Sequence, residues 1–155
     1  MTASFTPLLL VLQAVTMAQP GPPYPVVVID DSEEVRSAIG IRVKGTFTPT
    51  QAEAEAPRRD LARHLESESH REKSKERQES LRRIRLGQER YVWHCGGYKK
   101  GGQKYLFCTF VRREPDERLL RKKFPVIKDG GISACSCHFD MKRGQISRLD
   151  WNGEA

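Results

Sequence analysis

Four cysteines carry the clearest chemical signal in this 155-residue sequence. Cys135 and Cys137 are two residues apart, so on a strand they share one face and each can meet a cysteine of a neighbouring strand. The other two, Cys95 and Cys108, lie on two earlier β-prone runs. The spacing predicts two disulfides between these pairs, as Cys95–Cys135 with Cys108–Cys137 or as Cys95–Cys137 with Cys108–Cys135.

The same cysteines, together with His94 and His138, also form a set of candidate zinc ligands. The sequence lacks the paired Cys-x2–4-Cys spacing of a zinc knuckle, and Cys-x-Cys alone is a weak signal. Because the chain is also expected to be exported, disulfides are favoured over a metal. We predict no metal site and no cofactor.

His94 and His138 are the candidates for acid–base chemistry. A ribonuclease uses two histidines, or a histidine with a carboxylate, to move protons while cations hold the phosphate. The sequence has no spacing that demands this arrangement and no phosphate-binding glycine loop, serine-hydrolase elbow or metalloprotease helix. We therefore assign no catalytic residue. In the ribonuclease alternative the remaining roles would fall to Glu114, Lys104, Arg112 and Arg113.

The chain carries 27 Lys and Arg against 20 Asp and Glu, a formal net charge of +7. Basic residues recur in clusters in its C-terminal part, where aromatic residues are interleaved with the first clusters. A positive surface with aromatic side chains can bind single-stranded nucleic acid or an anionic membrane. The favoured alternative is that Lys and Arg keep a small secreted domain soluble while the aromatic residues fill its core. The predicted binding residues are Lys99, Lys100, Lys104, Arg112, Arg113, Arg121, Lys122 and Lys123.

Residues 1–18 contain no charged side chain. Their apolar core, from Leu8 to Ala18, is too short for a membrane-spanning helix, which needs about 20 residues, and is typical of a secretory signal peptide. Small side chains at Thr16 and Ala18 predict cleavage between Ala18 and Gln19. We therefore expect a secreted, extracellular protein that can also act in a host cell.

Residues 19–56 are expected to form an extended leader that contains a short β-α-β fragment. Its helix is predicted to end at Gly40, and residues 46–56 are predicted to be a linker. Residues 57–90 are expected to be a charged spacer, helical or disordered, because no apolar stripe continues along them. Pro57 suits the first turn of such a helix.

Two dibasic pairs lie in this spacer, Arg58 with Arg59 and Arg82 with Arg83. An exposed spacer is accessible to proteases. The sequence leaves open whether a processing protease removes the leader at either pair.

Residues 91–155 are predicted to form a small disulfide-stabilised α+β domain of order ββαββ with a mostly antiparallel sheet. Alternation along its second strand places Leu106, Cys108 and Phe110 on one face. The predicted elements are strands over 91–95 and 103–113 joined by a glycine-rich turn over 96–102, a helix from about 116 to 124, and strands over 132–141 and 145–151.

Trp93-His94-Cys95 matches the Tyr/Phe/Trp-x-Cys tripeptide of the ribonuclease-like mildew effectors, although it lies further from the signal peptide than in that family. With its low-complexity leader and cysteine-linked domain, the chain resembles the small secreted cysteine-containing effectors of plant-associated fungi. This resemblance implies a virulence function exerted by binding a host component rather than by turnover. It carries over no catalytic residue.

We therefore expect a secreted, non-enzymatic, effector-like interaction protein that binds a host component, foremost a host protein, through its basic C-terminal domain. Two alternatives stay open, a secreted ribonuclease-like or RNA-binding protein and a cationic membrane-active or antimicrobial protein. The sequence indicates no small-molecule substrate.

Overall fold

The computed structural model describes residues 22–40, 43–128 and 130–151. The predicted signal peptide and its cleavage between Ala18 and Gln19 lie outside these residues. Within them, every helix is too short or too polar to cross a membrane.

The described chain folds into three α-helices and one six-stranded mixed sheet, which confirms the α+β class. Two short 3-10 turns, Gln88–Arg90 and Gly131–Ser133, precede β3 and β5. The elements in chain order are β1 (Val26–Ile29), α1 (Ser32–Ile39), β2 (Gly45–Phe47), α2 (Gln51–Arg71), α3 (Lys75–Leu86), β3 (Tyr91–Lys100), β4 (Gln103–Arg112), β5 (Ala134–Asp140) and β6 (Gln145–Trp151).

The sheet has the order β1-β3-β4-β5-β6, and β2 shares the outer edge of β3 with β1. The strands from β3 to β6 are antiparallel neighbours, as predicted for the C-terminal region. The leader adds β2 antiparallel and β1 parallel to β3. The prediction of a mostly antiparallel sheet was therefore wrong, because it left the strands of the leader out of the sheet.

The predicted helix between β4 and β5 does not form, so the ββαββ order was wrong. One turn forms around Asp116, whose carboxylate accepts the backbone N–H of Leu119 at 2.8 Å. Leu119 and Phe124 are then buried in two separate apolar clusters. Because Leu119 and Phe124 pack in different clusters, the segment between β4 and β5 follows an irregular path across the sheet instead of a helix.

α1 is capped by Asp31 at its start and ends at Gly40, the end that the sequence predicts. The Asp31 side chain accepts the N–H groups of Glu33 and Glu34, and Gly40 ends the helix in the left-handed region with φ 64°. The Asp31 contacts satisfy backbone N–H groups that the start of a helix leaves unpaired, and glycine adopts the left-handed conformation without steric strain.

α2 begins earlier than predicted. Thr50 and Glu53 form a capping box, so the helix starts at Gln51 and Pro57 lies inside it. A capping box satisfies two backbone N–H groups at once. The prediction of a linker over 46–56 was wrong, since this segment holds the end of β2 and the start of α2.

α2 and α3 pack on one side of the sheet, which we call the α2–α3 face. Leu61 and Leu65 of α2 are buried there, and Trp93 and Phe110 of the sheet are buried in the same cluster with Cys95, Leu106 and Cys108. The predicted charged spacer is therefore helical in the structure and shares its core with the C-terminal strands. The two dibasic pairs lie within α2 and α3.

Gly96 and Gly97 lie inside β3, so the predicted turn shrinks to Gly101 and Gly102. An added Cβ at Gly96 would lie 2.5 Å from Val35 of α1, and one at Gly97 would lie 2.5 Å from the carbonyl oxygen of Phe47. These glycines let α1 and β2 approach the strand closely.

Cys95 and Cys108 form the disulfide of the structure, and Cys135 and Cys137 are buried free thiols. The two predicted cross-bridges were therefore wrong. The register of the hairpin sets Cys95 directly opposite Cys108, with their Cα atoms 4.2 Å apart. Cys137 is opposite Cys108 on its other side, next to a sulfur that is already paired.

Candidate functional site: a basic aromatic cleft

We call the side of the sheet opposite α2 and α3 the α1 face. Tyrosine and histidine side chains of the central strands lie on this face. Tyr98, Tyr105 and Phe107 alternate with the core residues of β3 and β4 and therefore point to this side. His138 of β5 joins them, since its ring lies 5.8 Å from that of Tyr98 and 5.2 Å from that of Phe107.

A cleft of about 600 Å³ opens on the α1 face near the turn between β3 and β4. Four strands, from β3 to β6, and the last residue of α1 contribute to its walls. Its lining combines aromatic, basic and amide side chains, which are Ile39, Tyr98, Lys100, Gly101, Gln103, Tyr105, His138, Ser147 and Arg148.

Tyr98 holds His138 in place at the bottom of the cleft. Its hydroxyl oxygen lies 2.7 Å from Nδ1 of His138. Burial raises the pKa of Tyr98 to about 12, with Tyr105 and Asp140 adding to the rise. The phenol is therefore protonated at neutral pH. The tautomer of His138 sets which group donates in this bond, and Nε2 is the ring nitrogen outside it.

Burial, helped by nearby positive charges, favours the neutral form of the His138 imidazole. Its pKa is lowered first by burial and then by the positive charges of Arg148 and Lys100, while Asp150 opposes them. Arg148 forms an ion pair with Asp150 at 2.7 Å. As far as the chain is described, the residues that line the cleft include no carboxylate.

Tyr105 is the half-buried aromatic residue of the cleft. Its ring stacks on Tyr98 with the centroids 5.4 Å apart and the planes at 21°. Its hydroxyl donates to the amide oxygen of Gln103 at 3.1 Å. Tyr98 is only 4% exposed, so it supports Tyr105 from below.

His94, the second candidate for acid–base chemistry, lies elsewhere on the α1 face. Its side chain is fully buried, and Nε2 bonds the carbonyl oxygen of Leu119. Burial lowers its pKa, which the hydrogen bond to Leu119 partly offsets. The structure gives the two histidines separate partners, Leu119 for His94 and Tyr98 for His138.

Of the predicted binding residues, only Lys100 lines the cleft. Lys99 and Lys104 are cross-strand partners on the α2–α3 side, where Nζ of Lys104 lies 4.9 Å from the ring of Phe47. Lys122 pairs with Asp30 at 2.6 Å.

The other predicted cations lie further away. Arg121 and Lys123 are exposed in the segment after β4. Arg112 and Arg113 are at the opposite end of β4, in a separate small cavity. The predicted residues therefore do not form one surface. Within the described ranges, no group of three His, Cys, Asp or Glu side chains is arranged to hold a metal ion.

Sequence reasoning missed Tyr98, Gln103, Tyr105 and Arg148 as cleft residues. The alternation of β4 did place Tyr105 on the face opposite the core. The pairing of His138 with Arg148, however, depends on the register between β5 and β6, which cannot be predicted from the sequence alone.

No protein-family model, curated protein or solved structure matches this chain.

Proposed function

We propose that this chain is a non-enzymatic binding protein that holds single-stranded RNA in the basic aromatic cleft. The observation that carries the proposal is the convergence of a half-buried tyrosine, a lysine with no ion pair among the described residues and a neutral imidazole in one cavity. Proteins that bind single strands combine stacking aromatic rings with cations that follow the backbone.

Each part of the cleft suits one part of a nucleotide. Tyr105 offers an aromatic ring, supported by Tyr98, for stacking with a base. Lys100 and Arg148 supply positive charge for the phosphate. Gln103 and Nε2 of His138 offer hydrogen bonds to the base or the ribose. A volume of about 600 Å³ is within the usual range for small-ligand pockets.

Binding is favoured over turnover by the protonation chemistry of the cleft. Its described lining offers one imidazole, His138, and no carboxylate. General acid–base cleavage of RNA needs a second proton-transfer group within reach of the reacting atoms. His94, the other candidate, is buried against Leu119.

The site of action follows from the N-terminal segment and is part of the proposal. A signal peptide over residues 1–18 would export the chain, and an effector-like role would bring it to host RNA. RNA then takes the place of a host protein as the foremost partner, because the cleft combines cations with aromatic and amide groups.

Fluorescence anisotropy with a labelled single-stranded RNA oligomer tests this proposal. We expect Tyr105→Ala to weaken binding by about tenfold or more, since one stacked base contributes roughly 1–3 kcal/mol. Lys100→Gln should weaken binding and lower the slope of log affinity against log salt by about 0.7, the value for one phosphate contact in a single strand.

Lys99→Gln is the matched control, because Lys99 is the exposed neighbour of Lys100 on the other side of the hairpin. It removes the same charge and should leave the RNA affinity within about twofold. Equal losses in Lys99→Gln and Lys100→Gln would show non-specific attraction and would contradict a binding site in the cleft. Cleavage of the oligomer that depends on His138 would contradict the non-enzymatic assignment.

A further inference from the structure

A second basic cavity lies at the other end of β4, where Arg90, Arg112 and Arg113 meet Tyr24 and Glu114. Its volume is about 210 Å³. Because a strand rises about 3.4 Å per residue, the length of β4 separates this cavity from the RNA cleft. The two sites can therefore be tested independently.

Two carboxylates lie near this cavity, and each has a partner other than Arg90 and Arg112. The Tyr24 hydroxyl donates to the Glu114 carboxylate, which raises the pKa of Tyr24. Arg113 pairs with Asp116 at 3.5 Å. Within the described part of the chain, neither Arg90 nor Arg112 has a carboxylate at ion-pair distance.

This arrangement differs from the rest of the arginine-rich surface. Along α2 and α3, arginines such as Arg63 and Arg82 lie beside carboxylates, Asp60 and Glu79, in the same helix. Such pairs neutralise a helix surface locally. At the end of β4, by contrast, guanidinium groups gather around a small concave space.

Arg112 is held in position by the backbone. Its guanidinium lies against Gly87, where an added Cβ would be 2.7 Å from Cζ of Arg112. Gly87 also ends α3, and a positive charge is favourable at the C-terminal end of a helix. That interaction involves Arg112 and not the neighbouring Arg90, which lies beside Tyr24 in the same cavity.

We propose that this cavity binds a tetrahedral oxyanion ester, a phosphate monoester or a sulfate ester, through Arg90 and Arg112. Planar guanidinium groups pair with such groups through two parallel hydrogen bonds. The two cations without carboxylate partners suit the phosphate monoester best, because it carries close to two negative charges at neutral pH, whereas a sulfate ester carries one. The cavity is shallow and small, so the anionic group would project into it from a larger molecule.

NMR titration of the full chain with phenyl phosphate and, in a separate arm, phenyl sulfate tests this proposal at constant ionic strength. We expect saturable shifts of the Arg90 and Arg112 side-chain N–H signals in at least one arm, and the two arms distinguish the two esters. Sodium chloride at matched ionic strength should give no saturable shift.

Arg90→Gln should weaken binding of the preferred ester by about tenfold or more and leave RNA affinity unchanged. Arg90→Lys should recover only part of the loss, because an ammonium group cannot make the bidentate pair. Arg121→Gln removes an exposed arginine outside the cavity and should leave ester affinity unchanged. If Arg112→Gln weakens the fold through α3, Arg90→Gln still decides the question.

Saturable binding that Arg90→Gln does not weaken, or equal weakening by Arg121→Gln, would overturn the proposal. Absence of saturable shifts with both esters would also overturn it. Neither result bears on the RNA cleft, whose residues lie at the other end of β4.

Discussion

The two faces of the sheet differ in what lies against them. The α2–α3 face carries Trp93, Phe110 and the disulfide, all fully buried under two helices. The α1 face is covered by one short helix and an irregular segment, and it retains the cleft of about 600 Å³ and a second cavity of about 360 Å³. One face therefore supplies most of the stability, and the other leaves polar side chains accessible to a ligand.

Among the variants that test this difference, loss of the Trp93 side chain should have the largest effect on the free energy of unfolding. Its ring is fully buried and stacks on Phe110 with the centroids 4.2 Å apart. Trp93→Ala should lower the free energy of unfolding by about 3–5 kcal/mol, as large-to-small changes in cores do. Urea unfolding measures this loss.

Tyr105→Ala is the control on the α1 face, and it should cost about 1 kcal/mol or less because Tyr105 is only half-buried. Equal losses of unfolding free energy in Trp93→Ala and Tyr105→Ala would contradict the assignment of most of the stability to the α2–α3 face.

The disulfide between Cys95 and Cys108 should give the next largest effect. It closes a loop with a sequence separation of 13. In the chain-entropy model such a loop stabilises the folded state by about 3 kcal/mol. The double variant Cys95→Ser with Cys108→Ser should lose about that amount in urea unfolding.

The variant Cys135→Ser with Cys137→Ser tests the assignment of the free thiols. It should keep one disulfide, as counted by thiol titration under denaturing conditions. A count that shows no remaining disulfide would contradict the pairing of Cys95 with Cys108.

Asp60 provides a smaller test of how α2 is attached to the sheet. Its Oδ2 accepts the backbone N–H of Ile146 at 2.7 Å, and its carboxylate also pairs with Arg63. Asp60→Ala leaves that buried N–H without an acceptor and should cost about 1–3 kcal/mol. Asp60→Asn keeps an acceptor oxygen and should cost less in the same urea assay; the reverse order would contradict this role.

The smallest expected effect is the response to acid. The pKa values of His64, His94 and His138 are all lowered by burial. Below the unfolded pKa of about 6.5, the unfolded chain binds more protons than the folded one, so stability falls as the pH drops through that value. Above it, these histidines contribute no slope.

His94→Gln replaces a titrating side chain by a neutral one that can still donate to Leu119. Urea unfolding at a series of pH values should show a shallower loss of stability in His94→Gln than in the unchanged chain. Identical slopes would mean that burial of His94 does not contribute to acid sensitivity.

The strands could be predicted from the sequence because their signal is local. Alternation of apolar residues gave β4 within one residue and β6 over its full length. The same alternation placed Leu106, Cys108 and Phe110 together in the core.

Features that depend on contacts distant in sequence could not be predicted in this way. Gly96 and Gly97 were assigned to a turn, although they lie in a strand. They leave space for the close approach of Val35 and Phe47, and these contacts are distant in sequence. The disulfide depends on the hairpin register, and a slip of one residue would have separated its cysteines.

The candidate site was predicted only in part, since its residues come from separate strands. Lys100 and His138 were singled out by residue type. Tyr105 and Arg148 join them only through the order of β4, β5 and β6. The start of α2 was missed for a different reason. Thr50 and Glu53 have the local spacing of a capping box, but residues 46–56 were predicted to be a linker.

The central claim is that the cleft on the α1 face is the RNA-binding site. Amide chemical-shift mapping of the isotope-labelled chain with a short single-stranded RNA tests it most directly. We predict saturable shifts concentrated at Gly101, Tyr105, His138 and Arg148, with the amides of α2 and α3 largely unchanged. Shifts concentrated on α2 and α3, or no saturable shift, would contradict the claim.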